Sequence, residues 1–456
     1  MKTFTKAGCA LLVLACAMLA PQAAAQSPLP GQVGAPFMYY YDGTLIPNVD
    51  PTCVLTLSPY GLGIPLLTPA QGSLRNTCGS MLRGRLEHTA TTLGNGRVLI
   101  AGGDADVLPA AGNTLNCVPG AVYVYLGLGT CPAPPTTIIA DAELYDPTVS
   151  VFLPAGAMGH ARTQHLAVRL NDGRVLIVGG VGLGAADPGA TAELYDPGSG
   201  QFYATGAPAQ ARSIGATATV LPSGRVLIAG GAHCTAYYTF NYNCASPTAS
   251  AELYDPATGR FTPTGSLGTA RMRHAAVLLA SGKVLILGGL ATNDWNYPLA
   301  SAEIYDPATG KFTATGSLPQ AVATPAAARL PDGHVLAVDT GAAALYNPAS
   351  GQFSGIAGPG LSIGDGPDAA LLLPDGKVFL KAGWCNRPQL FDPASKTFSV
   401  AGTNLPVGNP NTGCFSAAAA VLQTGEPLTT GGFSFNDNGP NGVFYEFYKQ
   451  AQLFHP

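Results

Sequence analysis

The chain has 456 residues, only 11% of them charged, with 58 glycines and 39 prolines. This length is ample for a large core, and the composition is typical of many short strands joined by turns. The formal net charge of -4 gives no electrostatic basis for binding nucleic acid, so a nucleic-acid partner is not expected.

The N-terminus has the pattern of a secretory signal peptide, residues 1–25, which predicts a periplasmic, extracellular or cell-surface location. Its positive region, apolar stretch and small-residue cleavage site are Lys2 and Lys6, Ala7–Leu19, and Ala23–Ala25. The apolar stretch is too short to span a membrane, and later apolar runs are broken by glycine pairs, so no transmembrane segment is expected. Lipoprotein anchoring through Cys16 is an alternative, but Leu14 fits that pattern poorly.

Residues 26–68 form a predicted N-terminal extension, and residues 69–456 form the predicted repeat domain. The aromatic run Phe37–Tyr41 could add a strand or cover one end of the domain. An ordered extension tied down by a Cys53–Cys78 disulfide is the favoured interpretation.

A six-residue phrase, Ala-Glu-Leu-Tyr-Asp-Pro, recurs along the repeat domain. Its copies are Ala142–Pro147, Ala192–Pro197, Ala251–Pro256, Ala302–Pro307 with Ile304 for Leu, and a worn copy at Ala451–Pro456. A turn and a further strand-like segment follow each internal copy, whereas the chain ends on the last. A matching segment stands near the start, at Pro69–Leu74 and Gly79–Met81. The pattern predicts a ring in which an N-terminal strand, near Ser73–Thr77, completes the final unit.

One repeat unit contains four strand-like pieces. In the unit from Gly265 to Gly316 they are Arg273–Leu279, Val284–Leu287, Ala302–Tyr305 and Lys311–Thr315. Short apolar runs bounded by glycine turns are typical of strands, and Asn-Gly and Asp-Gly turns indicate hairpins. Each unit is therefore predicted to be a four-stranded antiparallel meander.

Seven apolar second strands can be counted along the chain. They are Arg97–Ala101, Arg174–Val178, Arg225–Ala229, Lys283–Leu287, His334–Val338, Lys377–Lys381 and Glu426–Thr430. Their spacing near fifty residues is in the range of propeller blades. The predicted fold class is all-β, a seven-bladed propeller with four antiparallel strands per blade and no free sheet edges.

These motifs resemble kelch repeats. The resemblance rests on Gly-Gly after the second strand, Tyr-Asp-Pro after the third and Arg-x-x-His opening the first, and it covers Pro69 to Pro456. It implies a propeller of the galactose oxidase superfamily, here of a bacterial-type secreted protein. Blade five departs from the pattern, with Val338-Asp339 in place of Gly-Gly. The fold hosts unrelated functions, so the resemblance does not assign an activity.

Four arginines and four glutamates occupy equivalent repeat positions in blades one to four. The arginines are Arg85, Arg162, Arg212 and Arg271, and the glutamates are Glu143, Glu193, Glu252 and Glu303. An arginine ring at the channel mouth could bind a carboxylate or phosphate. Because the arginine and glutamate disappear together in blades five to seven, structural Arg–Glu pairing is the favoured interpretation.

Three histidines, His88, His165 and His274, follow those arginines by three residues. Their repeated positions favour core or channel-wall roles, and no metal or other cofactor is expected. Copper-radical oxidase chemistry, which the family resemblance raises, requires a tyrosine followed directly by a histidine ligand, and this chain has no Tyr-His pair. A sugar epimerase or mutarotase remains the alternative enzymatic hypothesis, and no catalytic residue is assigned.

The loops between second and third strands are the most individual part of the sequence. Their aromatic residues include Tyr123 and Tyr125, Tyr237, Tyr238 and Tyr242, and Trp295 and Tyr297. Exposed aromatic groups of this kind suit the recognition of proteins or glycans, although they could instead fold back over the ring. The sequence therefore favours a binding module whose ligand is a protein or a glycan, over a carbohydrate-active enzyme.

Eight cysteines remain after the predicted leader, an even number in an exported chain, and this favours disulfides over metal sites. The expected pairs are Cys53–Cys78, Cys117–Cys131, Cys234–Cys244 and Cys385–Cys414. Pairing across the two aromatic loops would stiffen them before they bind a ligand.

Overall fold

The structure is a computed structural model. It describes residues 39–41, 44–46, 56–58, 61–63, 73–106, 136–182, 188–238, 241–360, 367–382, 388–401, 413–415, 418–431, 433–437, 443–447 and 451–456. These residues belong to one compact unit, Met38–Pro456. The predicted signal peptide lies outside them.

The described part of the chain is built of short strands. Those of its first half are β1 (Tyr39–Tyr41), β2 (Thr44–Ile46), β3 (Thr56–Ser58), β4 (Gly61–Gly63), β5 (Ser73–Asn76), β6 (Arg85–Leu86), β7 (Thr89–Thr92), β8 (Val98–Ala101), β9 (Asp104–Asp106), β10 (Thr136–Ile138), β11 (Asp141–Asp146), β12 (Val151–Ala157), β13 (Leu166–Arg169), β14 (Val175–Val178), β15 (Ala192–Asp196), β16 (Gln201–Ala204), β17 (Thr217–Val220), β18 (Val226–Ala229), β19 (Cys234–Tyr238) and β20 (Asn241–Cys244). A 3-10 turn, Pro188–Ala190, is the helical element that the described residues contain.

The second half of the described chain is also built of short strands. They are β21 (Ala251–Asp255), β22 (Arg260–Pro263), β23 (Ala275–Leu278), β24 (Val284–Leu287), β25 (Ala302–Asp306), β26 (Lys311–Ala314), β27 (Ala326–Arg329), β28 (Val335–Val338), β29 (Ala343–Asn347), β30 (Gln352–Ile356), β31 (Pro367–Leu372), β32 (Val378–Ala382), β33 (Gln389–Asp392), β34 (Thr397–Val400), β35 (Gly413–Phe415), β36 (Ala418–Val421), β37 (Pro427–Thr430), β38 (Phe433–Asp437), β39 (Val443–Phe447) and β40 (Ala451–His455).

Seven four-stranded antiparallel sheets form the body of the described chain. Numbered in chain order, they are sheet 1 (β7, β8, β11, β12), sheet 2 (β13 to β16), sheet 3 (β17, β18, β21, β22), sheet 4 (β23 to β26), sheet 5 (β27 to β30), sheet 6 (β31 to β34) and sheet 7 (β36, β37, β40, β5). In sheet 7 the early strand β5 pairs with the terminal strand β40, with Leu74 opposite Phe454. The smaller sheets include the β19–β20 hairpin that extends from sheet 3.

The second strand of each sheet lies in the core. All four residues of β8, β14, β18, β24, β28 and β37 are buried. A strand covered on both faces favours a continuous apolar run over alternation, which is the pattern that five of these strands show; β37 instead ends in two buried threonines. These second strands begin and end within one residue of the predicted ones.

An aromatic pair repeats between the third and fourth strands. A tyrosine, or Phe391 in sheet 6, lies 4.8 to 5.0 Å from a phenylalanine of the neighbouring strand, measured between ring centroids. The pairs are Tyr145–Phe152, Tyr195–Phe202, Tyr254–Phe261, Tyr305–Phe312, Tyr346–Phe353 and Phe391–Phe398. Tilted pairs at this separation add to the stabilisation from buried area.

Neighbouring sheets meet along their first strands. β7 contacts β13, β13 contacts β17, β17 contacts β23, β23 contacts β27, β27 contacts β31, β31 contacts β36, and β36 contacts β7. Apolar clusters lie between adjacent sheets, for example Leu285 and Leu287 of sheet 4 with Val335 and Ala337 of sheet 5. The all-β architecture of repeated antiparallel sheets is thus stabilised by packing between each sheet and the next.

Candidate functional site

The four repeat arginines contact the four repeat glutamates. The distance from Nη2 to Oε1 is 2.6 Å for Arg162–Glu193, 3.2 Å for Arg212–Glu252 and 2.9 Å for Arg271–Glu303, and Arg85 is likewise paired with Glu143. Each arginine is at most 2% exposed. Such burial leaves the guanidinium groups no open face for a ligand, so the geometry favours structural pairing over a ligand-binding ring.

Backbone groups complete each pair. In sheet 4, Arg271 Nη1 donates to the carbonyls of Gly288 and Ser301, at 2.9 and 3.0 Å. Glu303 accepts hydrogen bonds from the backbone N–H groups of Gly268 (2.7 Å) and Thr269 (3.2 Å). Sheets 2 and 3 repeat this arrangement. The pair therefore connects the segment that enters each sheet to the third strand of that sheet. The buried charges are tolerated because each is hydrogen-bonded on several sides.

Burial changes the pKa values of three of these arginines. Desolvation lowers the pKa of Arg162, Arg212 and Arg271, and the neighbouring glutamate of each pair opposes that change. The carboxylates are thus needed to keep the buried charges stable.

The three repeat histidines are buried and hydrogen-bonded to threonines. His88 Nε2 lies 2.9 Å from Thr430, His165 Nε2 lies 2.9 Å from Thr89, and His274 Nε2 lies 3.0 Å from Thr217. Desolvation, with a smaller contribution from the nearby arginine, lowers the pKa of His165 and of His274 to about 3. They are neutral at physiological pH, and each links the first strand of its own sheet to a neighbouring sheet.

No group of three or more His, Cys, Asp or Glu side chains suited to a metal ion occurs within the described residues. In the same residues, no helix has the length and apolar character needed to cross a membrane.

An acidic pair, Glu87 and Asp104, interrupts the repeat at sheet 1. Asp104 is fully buried, and Thr163 donates a hydrogen bond to its Oδ2 at 3.0 Å. Desolvation, followed by the charge of Glu87, raises the pKa of Asp104 well above its usual range. Val181, Ala232 and Leu290 occupy the corresponding positions of sheets 2 to 4, so the carboxyl group is particular to sheet 1.

Two exposed aromatic residues lie in the loop after the second strand of sheet 4. Trp295 is 58% exposed and Tyr297 is 57% exposed. The guanidinium carbon of Arg273 lies 5.1 Å from the centre of the Trp295 ring, which is cation–π distance. Arg273 has a positive φ of 57°, in the left-handed region that non-glycine residues adopt rarely and mostly at special sites.

A disulfide hairpin from sheet 3 braces this loop. Cys234 and Cys244 form a disulfide between β19 and β20. Asn293, two residues before Trp295, donates through Nδ2 to the carbonyls of Cys244 (2.7 Å) and Ala245 (3.0 Å). The hairpin and the aromatic loop are therefore one connected surface, which we call the sheet 3–4 face: Cys234–Tyr238, Asn241–Cys244, Arg273 and Asn293–Tyr297.

The remaining predicted loop residues are less fully described. Tyr237, Tyr238 and Tyr242 lie on β19 and β20, and their side chains lie outside the described part. Tyr238 lies opposite Asn241 and Tyr242 opposite Ala236, with a register shift between Ala236 and Tyr238. Tyr123 and Tyr125 lie outside the described residues altogether. Cys78 is disulfide-bonded. The other predicted disulfide partners outside the hairpin fall outside the described side chains: Cys53, Cys117, Cys131, Cys385 and Cys414.

Three contributors to these surfaces were absent from the sequence prediction: Arg273, Asn293, and the Glu87–Asp104 pair. A signal for Asp104 was available, because the other units hold Val181, Ala232 or Leu290 at its position. Arg273 gave none, because the residue type at its repeat position varies between units. Asn293 gave no such signal, since its contact depends on two loops from different sheets meeting in space.

Comparison with known proteins gives a limited match. No protein-family model matches the chain. A segment of 72 residues is 39% identical to the Kelch-like protein terF of Aspergillus terreus, and it covers 15% of this chain and 15% of that protein. This partial similarity, together with the repeated four-stranded antiparallel sheets, fits a kelch-type β-propeller.

Proposed function

We propose that this chain is an exported kelch-type propeller of seven blades that binds a protein or a glycan through the sheet 3–4 face. The blades are sheets 1 to 7, and β5 supplies the last strand of sheet 7. The contacts among first strands support a closed ring, because they run from β7 through the following sheets to β36 and back to β7. In such a ring the first strands line a central channel.

One observation carries the binding proposal. Trp295 and Tyr297 expose more than half of their surface on a loop held by a disulfide hairpin through Asn293. Large aromatic groups on a braced surface bind with little loss of conformational entropy, and they dominate many recognition interfaces. Trp295 also offers a flat apolar face for stacking against a sugar ring or an apolar side chain.

The test is a binding screen of the purified mature protein against an immobilised glycan panel and a library of displayed peptides. For a hit, Trp295→Ala and Tyr297→Ala are expected to weaken binding at least tenfold, about 1.4 kcal/mol or more. Tyr203→Ala is the matched control, because Tyr203 is also an exposed aromatic residue, at 49%, but lies on β16 in sheet 2. Equal losses in all three variants, or none in any, would refute the sheet 3–4 face as the binding site.

The export proposal rests on the leader pattern of residues 1–25 and on the Cys234–Cys244 disulfide, since disulfides persist mainly in oxidising compartments. Intact-mass analysis of the protein from its native host should give an N-terminus at Gln26. A mass that retains residues 1–25 would contradict export by this route, and a lipid-modified Cys16 would indicate anchoring instead.

A second candidate function is a carbohydrate-active enzyme that uses the channel mouth, and the Glu87–Asp104 pair favours it. Two neighbouring carboxyl groups, one of them buried with a raised pKa, suit general acid–base catalysis. Interconversion of sugar-acid anomers, followed by NMR, should then be accelerated by the protein and lost in Glu87→Gln. No acceleration over buffer would exclude this candidate for the sugars tested.

A further inference from the structure

Sheet 5 contains a cavity of about 120 Å³ at the place where sheets 1 to 4 hold their buried ion pairs. Its floor is formed by Leu318, Val322, Pro325, Ala337 and Ala344. We propose that this cavity, the sheet 5 pocket, binds a small neutral apolar molecule or an alkyl or aryl group of a larger one. The proposal concerns a different surface from the sheet 3–4 face.

Backbone hydrogen bonds establish which residues are equivalent. Gly231 N–H donates to the carbonyl of Arg271 at 2.9 Å, and Gly289 N–H donates to the carbonyl of Val322 at 2.9 Å. Leu267 and Leu318 make matching bonds to Ala249 and Ala300, both at 2.8 Å. Val322 therefore occupies the position of Arg271.

The third strands give the same correspondence. Glu303 lies opposite Ile286 in sheet 4, and Ala344 lies opposite Ala337 in sheet 5. Ile100, Ile177 and Ile228 lie opposite the glutamates of the other three sheets. Sheet 5 thus has smaller side chains at all three positions of the pair: valine for arginine, alanine for glutamate and alanine for isoleucine.

The polar partners are missing as well. Gly268 donates its N–H to Glu303 in sheet 4, whereas the corresponding residue of sheet 5 is Pro319, which has no N–H. The cation, the anion and one backbone donor have been replaced together, so the space is left without an uncompensated buried charge. The lining residues include no charged side chain. The nearby carboxylate of Asp339 is engaged by the N–H groups of Ala323 and Thr340, at 3.0 and 2.8 Å.

These substitutions enlarge the space and do not compensate one another. In a core selected only for packing, the loss of a large side chain is commonly offset by a larger neighbour, because close packing stabilises the interior. Here the neighbour across the strand, Ala337, is smaller too. The floor is buried, while Gln320 and Gly341 at the rim are exposed, so the space has an entrance.

The volume and lining set the class of ligand. An apolar cavity of about 150 Å³ in another protein stays dry and binds benzene. A cavity of about 120 Å³ therefore suits a group of roughly six heavy atoms. The exposed rim would allow the polar remainder of a larger ligand to lie in solvent.

Fluorobenzene is a suitable probe, observed by ¹⁹F NMR in a titration of the full mature chain. Wild-type protein should bind it saturably, with a dissociation constant on the order of 1 mM for so small a ligand. The variant Pro319→Gly/Val322→Arg/Ala344→Glu rebuilds the pattern of sheet 4 and should abolish binding while melting at or above the wild-type temperature. Asp332→Asn, at an exposed turn of sheet 5 that does not line the pocket, should bind as the wild type does.

A second variant keeps the test decisive should the triple variant not fold. Ala344→Leu places one larger side chain in the pocket and should weaken fluorobenzene binding at least tenfold. The absence of saturable binding by wild-type protein would overturn the proposal. Unchanged binding in a folded filling variant would also overturn it, because the probe would then occupy another site.

Discussion

At the scale of single residues, the buried arginines depend on their glutamates. Arg212 and Arg271 each use Nη1 for backbone carbonyls and Nη2 for a carboxylate. Removing one partner leaves an uncompensated charge in the interior, whereas removing both leaves only a smaller core. The chain itself contains the second arrangement, in Val322 and Ala344 of sheet 5.

We expect Glu303→Ala to destabilise the protein by about 3–5 kcal/mol, the usual cost of breaking a buried ion pair. Arg271→Val/Glu303→Ala, which copies sheet 5, should cost less than the sum of the two single changes. Urea unfolding of Glu303→Ala, Arg271→Val and the double variant measures the loss of unfolding free energy in each. A double variant whose loss equals that sum would show that the two residues act independently.

The buried histidines predict acid sensitivity. Unfolded histidine has a pKa of about 6.5, and burial lowers the pKa of His274 to about 3, so the unfolded chain binds more protons between these values. The stabilisation is complete above pH 6.5 and is lost as the pH falls towards 3. His274→Gln should reduce the slope of unfolding free energy against pH by up to about 1.4 kcal/mol per pH unit between pH 6 and 4.

Denaturant unfolding at a series of pH values tests this expectation. His334→Gln is the control for the same substitution outside the core, since His334 is 36% exposed at a turn. Parallel curves for His274→Gln and the wild type would contradict a neutral buried histidine at this position.

At the scale of elements, the buried second strands were predicted within a residue, because a strand covered on both faces favours a mainly apolar run. For example, the predicted strand Lys283–Leu287 corresponds to the observed β24, Val284–Leu287. The first strands were predicted too long: the pattern from Arg273 to Leu279 yields β23 from Ala275 to Leu278. Arg273 itself leaves the strand, with positive φ, because its backbone N–H bonds to Gly215 of the neighbouring sheet.

The disulfide hairpin predicts a change confined to one surface. Cys234→Ser/Cys244→Ser removes the constraint on β19 and β20, and the carbonyls that hold Asn293 lose their fixed position. Hydrogen exchange followed by mass spectrometry should become faster in residues 234–244 and 293–297 and stay unchanged in sheet 5. Faster exchange over every sheet would instead show that the disulfide stabilises the whole domain.

At the scale of the whole molecule, the two ends of the domain share one sheet. β40 lies between β37 and β5, so its outer edge is paired only because the early strand is present. Phe454 on β40 also packs against Phe379 of sheet 6, with ring centroids 5.1 Å apart. Loss of β5 would expose the edge of β40 and weaken the packing beneath it.

Deleting residues 1–76 should therefore lower the melting temperature and promote self-association, whereas deleting residues 1–38, which spares β5, should change either property little. Thermal unfolding and size-exclusion chromatography measure both effects. Equal behaviour of the two truncations would argue against a ring that β5 completes.

The sequence by itself determined the repeat, the type and order of its strands and the coupled loss of arginine and glutamate. These are local or periodic properties, written into residues at fixed spacing. Tertiary structure alone decided that Asn293 holds the hairpin of another sheet, that Arg273 lies over Trp295, and that Val322, Ala337 and Ala344 surround a cavity. Each of these depends on residues far apart in the chain meeting at particular distances, which spacing in the sequence does not specify.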